Sequence, residues 1–175
     1  MSVQGFSSRT DRMLDRADAV CLRRGSRLTD LRRQVLGLVL EAGRPVGAYD
    51  LLDKLRTGHK TAAPPTVYRA LDFLLEEGLV HKVERLSAFV GCLHELCEED
   101  DGCGHDHSGS HTAQFLICSG CGSATEIDDP SIHASLAAAA RRAGFKPHKV
   151  TVEAEGLCSL CSAATAARPA ARAHG

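Results

Sequence analysis

The feature that most constrains this 175-residue chain is a pair of cysteine motifs with the same spacing. The stretch FLICSGCG holds Cys118 and Cys121, and the stretch EGLCSLC holds Cys158 and Cys161. Two thiols separated by two residues fit on one tight turn, so each motif can offer two sulfurs to a single metal ion. Two such turns supply the four soft ligands that tetrahedral zinc prefers. The spacing therefore predicts a structural zinc site that ties together two segments distant in sequence.

A redox pair and a disulfide framework are the other interpretations of these cysteines. A thioredoxin-like motif is one pair that follows a strand in a larger βαβ unit, and here there are two pairs without that frame. The first residues, MSVQGFSSRTDRMLDR, mix both charges and lack an apolar signal core, which predicts a cytoplasmic protein with reduced thiols. The chain has no apolar run long enough to span a membrane, so no membrane partner is expected. Metal binding is favoured.

Charge and metal-ligand residues are unevenly distributed along the chain. Residues 1–90 carry a net charge of +4, and residues 91–175 carry a net charge of −5. Seven of the eight cysteines and seven of the nine histidines lie in the acidic half. This asymmetry predicts two domains with different roles, although +4 is too small a charge to identify a nucleic-acid partner by itself.

The basic half reads as three amphipathic helices followed by a β-hairpin. Thr29 is a predicted N-cap of one helix, and Thr66, after two prolines, is a predicted N-cap of the last. Gly78 follows the last helix as its expected C′ residue. LVHKVE alternates as a strand does, and RLSAFVGC can return beside it. Helices followed by a small hairpin are typical of a winged helix, in which the last helix enters the DNA major groove.

Two exposed side chains near the start of that last helix are candidate DNA contacts. Arg69 can make a bidentate contact to guanine, and Tyr68 can bond a phosphate or pack on a thymine methyl group. The same pattern of helices and hairpin also occurs in protein-binding modules. On pattern alone both interpretations remain open.

The acidic half is predicted to form a small α/β domain. A strand over residues 123–128, a helix in DPSIHASLAAAARRAG and a strand in KPHKVTVEAE separate the two cysteine motifs. A zinc ion held by both motifs would clamp the edge of the sheet to the last structured segment. Four further candidate ligands come from the predicted wing, the hinge and the sheet: His81, Cys92, His111 and Glu126. Together they form a mixed ligand set suited to a reversible metal site. Each of them alone also has an ordinary structural explanation.

The stretches AYDLLDKLR, PPTVYRALDFLLEEGLVHKVE, HTAQFLICSGCG and EGLCSLC resemble the ferric uptake regulator family, and in particular its zinc-sensing branch. The resemblance runs from about residue 12 to residue 163. It implies an α+β chain with a winged-helix DNA-binding domain at 1–88 and a hinge at 89–111. A zinc-binding α/β dimerisation domain with a three-stranded sheet follows at 112–165, and a disordered tail at 166–175.

The resemblance also implies roles for individual residues. Those that match the structural zinc site are Cys118, Cys121, Cys158 and Cys161. Those that match the regulatory zinc site are His81, Cys92, His111 and Glu126. Those that match positions in contact with DNA are Tyr68, Arg69, Arg27 and Arg32. One structural and one regulatory Zn²⁺ per chain are therefore expected.

The implied function is a zinc-dependent transcriptional repressor that shuts off zinc-uptake genes when zinc is sufficient. Its expected partners are a second copy of the chain and double-stranded DNA, with a palindromic and AT-rich operator. In the stretch GSHTAQFLIC, just before the first cysteine pair, His111 is the one histidine, whereas the iron-sensing branch typically has a His-rich run there. Cys92 supplies a soft ligand, and both features favour zinc over iron. One alternative is a sensor of iron, manganese or peroxide with the same fold. The other is an adaptor for protein–protein interactions whose fold is stabilised by zinc. An enzyme is not expected, because four thiolates close the coordination shell.

An insert in the hinge, LHELCEEDDGCGHDHSGSH, departs from the family pattern. A solvated acidic spacer is one interpretation of it. The other is an additional low-affinity metal site that uses side chains of the insert, namely His94, Cys97, Cys103, His105 and His107.

Overall fold

The computed structural model describes residues 5–92, 96, 113–148 and 150–166. The chain forms two compact units, residues 1–110 and residues 111–175, called unit 1 and unit 2 below. Each unit combines helices with a three-stranded sheet. The predicted α+β class is therefore confirmed. Within the described ranges, no helix is both long enough and apolar enough to cross a bilayer.

Four helices build most of unit 1. They are α1 (Ser8–Arg23), α2 (Asp30–Ala42), α3 (Ala48–Arg56) and α4 (Pro64–Glu76). Their apolar residues recur every three or four positions, so each helix buries one face in a common core. The core side chains are mostly aliphatic, as the absence of tryptophan predicts.

Three short strands complete unit 1 as the wing. Strand β1 (Val46–Gly47) pairs with β3 (Ala88–Gly91), and β3 pairs with β2 (Val80–Val83), all antiparallel. A 3₁₀ turn at Glu84–Leu86 connects β2 to β3. The predicted hairpin is confirmed, whereas β1 was not predicted because two residues carry no periodic signal. Helices followed by this sheet make the winged helix.

Two helix starts differ from the sequence prediction. The prediction of Thr66 as N-cap is wrong, because α4 begins at Pro64 and Ala63 is its N-cap. Proline suits the first helical turn, where its missing N–H has no partner to lose. Thr29 is the N-cap of α2 as predicted, but its side chain makes no capping hydrogen bond. Gly78 is confirmed at C′ of α4 with a φ of 69°.

Unit 2 is built on the sheet order β5–β4–β6. Strand β4 (Ala113–Cys118) pairs antiparallel with β5 (Ala124–Ile127) and parallel with β6 (Thr151–Gly156). Helix α5 (Pro130–Arg142) connects β5 to β6, and α6 (Ser159–Ala166) follows β6. The three-stranded sheet and its connecting helix are confirmed. Ala166, predicted as the first residue of the tail, is the last residue of α6, and 167–175 lie outside the described residues.

Candidate metal centre and DNA-binding surface

The parallel pairing of β4 with β6 brings the two cysteine motifs to one edge of unit 2. Cys118 ends β4 and lies opposite Gly156, which ends β6. Because parallel strands run in one direction, their carboxyl ends meet at the same edge. Cys158 follows two residues after Gly156, and Cys161 lies in the first turn of α6. The sheet register therefore places both motifs together.

The first motif forms a tight turn held by backbone hydrogen bonds. The Cys118 N–H donates to the Ser123 carbonyl at 2.8 Å, and the Gly122 N–H donates to the Cys118 carbonyl at 2.8 Å. Gly122 adopts a φ of 70°, a conformation that glycine takes without strain. The Ser119 N–H donates to the Gly156 carbonyl at 2.8 Å, so the turn is tied to the end of β6. This backbone fixes the directions of the two cysteine side chains.

Gly120 permits the close approach of the second motif. A Cβ atom at this position would lie 3.0 Å from both the Cβ and the Sγ of Cys161, and 3.3 Å from a methyl group of Leu157. The φ of Gly120 is not positive, so the role of this glycine is to leave space for Cys161 and not to supply backbone freedom.

The four sulfur atoms form a compact cluster suited to zinc. The Sγ atoms of Cys118, Cys121, Cys158 and Cys161 all lie within 4.8 Å of one another. The Cys121 and Cys158 sulfurs are 4.0 Å apart. Zn–S bonds of about 2.3 Å arranged as a tetrahedron need sulfurs separated by about 3.8 Å. The cluster therefore fits zinc after shifts of less than about 1 Å.

The thiol pKa values differ within the cluster. Backbone N–H groups, first that of Cys158 and then that of Cys121, lower the pKa of Cys118 to about 6. The Cys158 N–H donates to the Cys118 Sγ at 3.3 Å. The neighbouring thiols, first Cys158 and then Cys118, raise the pKa of Cys161 to about 12. Crowded sulfurs cannot all ionise at neutral pH without a cation, and a divalent ion would relieve this repulsion.

Ser123 is a neighbour of the cluster that the cysteine spacing did not reveal. Its hydroxyl lies 3.2 Å from the Cys121 Sγ, and this hydrogen bond is the main cause of the lowered pKa of that thiol. A hydroxyl two residues after a ligand is too common in sequences to have identified it.

In unit 1, two of the predicted regulatory ligands lie together on the wing. His81 of β2 pairs with Val90 of β3. Cys92, two residues further, continues the ladder because its N–H donates to the Leu79 carbonyl at 3.0 Å. Alternate residues share a face of a sheet, so Cys92 lies on the His81 face. Their ligand atoms lie within 4.8 Å of each other, with Cys92 buried and His81 half-buried.

The other two predicted regulatory ligands belong to unit 2. Glu126 lies in β5, is half-buried and faces Phe115 across the sheet register. His111 lies outside the described residues, and the five insert residues do as well: His94, Cys97, Cys103, His105 and His107.

Helix α4 presents the predicted DNA-reading residues on the face that it does not bury. Val67, Ala70 and Leu71 point into the core of unit 1. Tyr68 and Arg69 lie between them on the outer face, and Tyr68 exposes 43% of its surface. Both side chains are in the first two turns of α4, the part of a recognition helix that reaches base edges.

The two other predicted DNA contacts lie near the start of α2. Arg27 is exposed in the segment that precedes the helix. Arg32 is half-buried, and its guanidinium lies over the ring of Phe73 on α4, with its carbon 3.5 Å from the ring centroid. Its Nη1 also donates to the Arg27 carbonyl at 2.8 Å. Phe73 was not predicted, because its contact with Arg32 depends on how α2 packs on α4.

Comparison with known proteins agrees with these features. The model of the ferric uptake regulator family matches residues 23–155. The zinc uptake regulation protein of Escherichia coli K12 is 39% identical over 159 residues, which cover 91% of this chain and 86% of that protein. The zinc uptake regulation protein of Mycobacterium tuberculosis H37Rv is 32% identical over 115 residues, which cover 65% of this chain and 78% of that protein.

Two solved structures are also similar. A structure of a zinc uptake regulator complexed with zinc and DNA is 38% identical, with a TM-score of 0.78, and the match covers 90% of this chain and 97% of that chain. A crystal structure of holo XcZur is 44% identical, with a TM-score of 0.72, and the match covers 86% of this chain and 96% of that chain.

Proposed function

This chain belongs to the ferric uptake regulator family, whose members regulate transcription and are not enzymes, and on that premise we propose that it is a zinc-dependent repressor that shuts off zinc-uptake genes when zinc is sufficient. The observation that carries the proposal is the coexistence of a closed four-sulfur cluster with a recognition helix whose Tyr68 and Arg69 face outward. A repressor of this kind acts on DNA in the cytoplasm.

The four clustered cysteines hold the structural zinc of unit 2. When bound, zinc would supply a double positive charge that offsets part of the charge of the thiolates. Cys118 and Cys121 fix the end of β4, and Cys158 and Cys161 fix the start of α6. Four thiolates leave no open coordination position, which suits a permanent structural role.

A second, regulatory zinc is held by residues of both units: His81, Cys92, His111 and Glu126. The proximity of the His81 and Cys92 ligand atoms on the wing supports this assignment. A mixed set of imidazole, thiolate and carboxylate binds less permanently than four thiolates, as a sensor requires. These residues restrict the orientations of the DNA-binding unit when they share one ion, so the binding-competent state becomes the populated one. Coupling of this type typically changes affinity about 5- to 150-fold.

The repressor acts as a homodimer on double-stranded DNA with a palindromic, AT-rich operator. Two subunits present two copies of α4, which matches the two half-sites of a palindrome. Unit 2 leaves several large apolar side chains exposed, as a dimerisation surface requires: Leu116, Leu136, Phe145, Leu157 and Leu160. Tyr68 and Arg69 contact base edges and backbone, and Arg27 contacts a phosphate.

The test measures DNA binding by the purified full chain across a series of buffered free-zinc concentrations. The probe is a duplex selected from a random-sequence library by the zinc-loaded protein. We expect tight binding only above a threshold of free zinc, with the metal content rising from one to two ions per chain. Equal affinity under strong chelation, with one zinc still bound, would show that the protein is not a zinc sensor.

Variants at the regulatory site test the ligand assignment. His81→Ala and Cys92→Ser should lose zinc-dependent binding, about 5- to 150-fold, and remain folded dimers. The matched controls are His148→Ala, an exposed histidine of unit 2, and Cys21→Ser, a second buried cysteine of unit 1. If the site variants behave like the controls, the regulatory assignment is wrong.

A further inference from the structure

One guanidinium group links the start of α2 to the recognition helix. The Arg32 side chain stacks on Phe73 at 3.5 Å from the guanidinium carbon to the ring centroid. This is short for a cation–π contact, which extends to about 6 Å. Both side chains are half-buried, so water screens the contact less than it would on an open surface.

A hydrogen bond fixes the Arg32 side chain over the ring. Arg32 Nη1 donates to the Arg27 carbonyl at 2.8 Å, five residues back along the chain. The guanidinium is planar, so one hydrogen bond and one stacked face together restrict both its position and its tilt. Arg32 is therefore a fixed part of unit 1 before any DNA is present.

Phe73 connects this contact to the DNA-reading residues. Residues four apart are neighbours on a helix surface, so Phe73 lies next to Arg69 on α4. The Phe73 ring also packs against the core of unit 1, between the core and the guanidinium. A change at Arg32 therefore acts on the part of α4 that carries Arg69.

The adjacent arginine has a different role. Arg33 pairs with Asp15 of α1 at 2.7 Å, and their side chains expose 35% and 73% of their surface. An exposed pair of this kind contributes little to stability. Arg32 and Arg33 carry the same charge on the same helix turn, but of the two Arg32 is the one that stacks on the Phe73 ring of the recognition helix α4.

We infer that Arg32 is a positioning residue for DNA reading, which holds α4 in place through Phe73, and that its main role is not to neutralise a phosphate. The inference rests on the proposed function, because it concerns how the same helix reads DNA. The two roles have different consequences when the side chain is removed. A residue that neutralises a phosphate supports specific and nonspecific binding alike and adds to the salt dependence, whereas a positioning residue mainly supports specific binding.

The test compares Arg32→Gln with Arg27→Gln in the zinc-loaded full chain. The probes are the selected duplex and a scrambled duplex of equal length, each measured over a range of salt concentrations. We expect Arg32→Gln to lose about three- to tenfold in affinity for the selected duplex, the scale of a partly desolvated cation–π contact. Its affinity for the scrambled duplex and its salt slope should stay close to wild type. Arg27→Gln should instead reduce the magnitude of the slope by about 0.9 for each phosphate that is no longer neutralised.

Variants of the ring separate stacking from charge. Phe73→Leu keeps the apolar contact with the core and should match the loss seen in Arg32→Gln, whereas Phe73→Tyr keeps a ring and should retain binding. The double variant Arg32→Gln with Phe73→Leu should be no weaker than either single variant, because both remove one interaction. Arg33→Gln controls for the loss of one positive charge from α2.

The outcomes distinguish this inference from the proposed function. If Arg32→Gln reduces the salt slope as Arg27→Gln does, and Phe73→Leu binds like wild type, Arg32 is a phosphate contact and the inference is wrong. The zinc-dependent binding of the wild-type protein would be unaffected by that result. If Arg32→Gln does not fold, the contrast between Phe73→Leu and Phe73→Tyr decides the question.

Discussion

The two units of this chain are stabilised in different ways. Unit 1 has a continuous core to which α1, α2, α3 and α4 each contribute, with fully buried leucines such as Leu36, Leu51 and Leu71. In the described part of unit 2, the buried side chains all belong to β4, and α5 buries none. A small domain without a core of its own needs metal or a partner to fold stably. We therefore expect unit 1 to be stabilised by aliphatic packing, and unit 2 by the proposed zinc site and by dimerisation.

The strongest test of this difference is removal of the zinc cluster. Cys118→Ser or Cys158→Ser should unfold unit 2 and abolish the dimer, while the helices of unit 1 remain. Structural zinc contributes apparent free energies of about 10–16 kcal/mol in zinc-finger peptides, more than a small unit can replace. Circular dichroism, sedimentation and zinc content measure the three effects.

The control for this test is Cys21→Ala, which changes a buried cysteine of unit 1 outside the cluster. It should keep the zinc content and the dimer. If Cys118→Ser also keeps a folded dimer, unit 2 does not depend on its metal.

A smaller effect is expected where the two cysteine turns meet. Gly120→Ala places a methyl group 3.0 Å from the Cβ and Sγ of Cys161, so the second motif must shift. Overpacking of this kind costs about 1–3 kcal/mol and should weaken zinc binding. The control is Gly156→Ala, where a Cβ atom meets nothing within 4 Å. Competition with a zinc chelator measures both variants, and equal affinities would contradict the close packing of the turns.

The smallest effect is expected when one helix cap is removed in each unit and the two losses of stability are compared. The Asp129 carboxylate accepts from the Ser131 N–H at 2.8 Å at the start of α5, whereas the Thr29 side chain makes no cap bond at α2. Asp129→Ala should therefore lower the melting temperature of unit 2 by about 4 °C, and Thr29→Ala should change that of unit 1 less. Differential scanning calorimetry resolves the two units.

The Asp129 carboxylate also makes the stability of unit 2 depend on pH, in a direction that the shift of its pKa determines. Bonds from Ser131, first its hydroxyl and then its N–H, lower the pKa of Asp129. A carboxyl group whose pKa is lower in the folded state than in the unfolded state stabilises the folded state at pH values above the unfolded pKa. This stabilisation is lost as the pH falls through the folded pKa. The difference between wild type and Asp129→Ala should therefore shrink below about pH 4. A difference that persists at about pH 2, below the usual range of an aspartate pKa, would contradict the role of the ionised cap.

The features that could be predicted from sequence are those encoded locally. Cysteine spacing predicted the cluster because two residues between thiols define one turn, and the sheet then brought the turns together. Gly78 was predicted because a helix end needs a residue that tolerates positive φ. The start of α4 was missed at Pro64, although proline at the first helical position was a readable signal.

The features that could not be predicted depend on packing between elements. The contact between Arg32 and Phe73 joins two helices, and neither residue has a local pattern that names the other. The role of Gly120 as a space for Cys161 depends on the parallel register of β4 and β6, which periodicity does not give. His81 and Cys92 share a face only because of the hairpin register. Their joint role with His111 and Glu126 stays a prediction.

The pairing of β4 with β6, the first and last strands of unit 2, means that the two cysteine motifs at their ends are synthesised at different times. Cys118 emerges from the ribosome 40 residues before Cys158, and until then only half of the sulfur ligands exist. The proposed structural zinc could therefore be fully coordinated only after residue 161 has been translated. A nascent chain would therefore present unit 1, with its recognition helix α4, before it can bind the structural zinc. A product that ends before Cys158 would carry unit 1 without the ability to form the dimer.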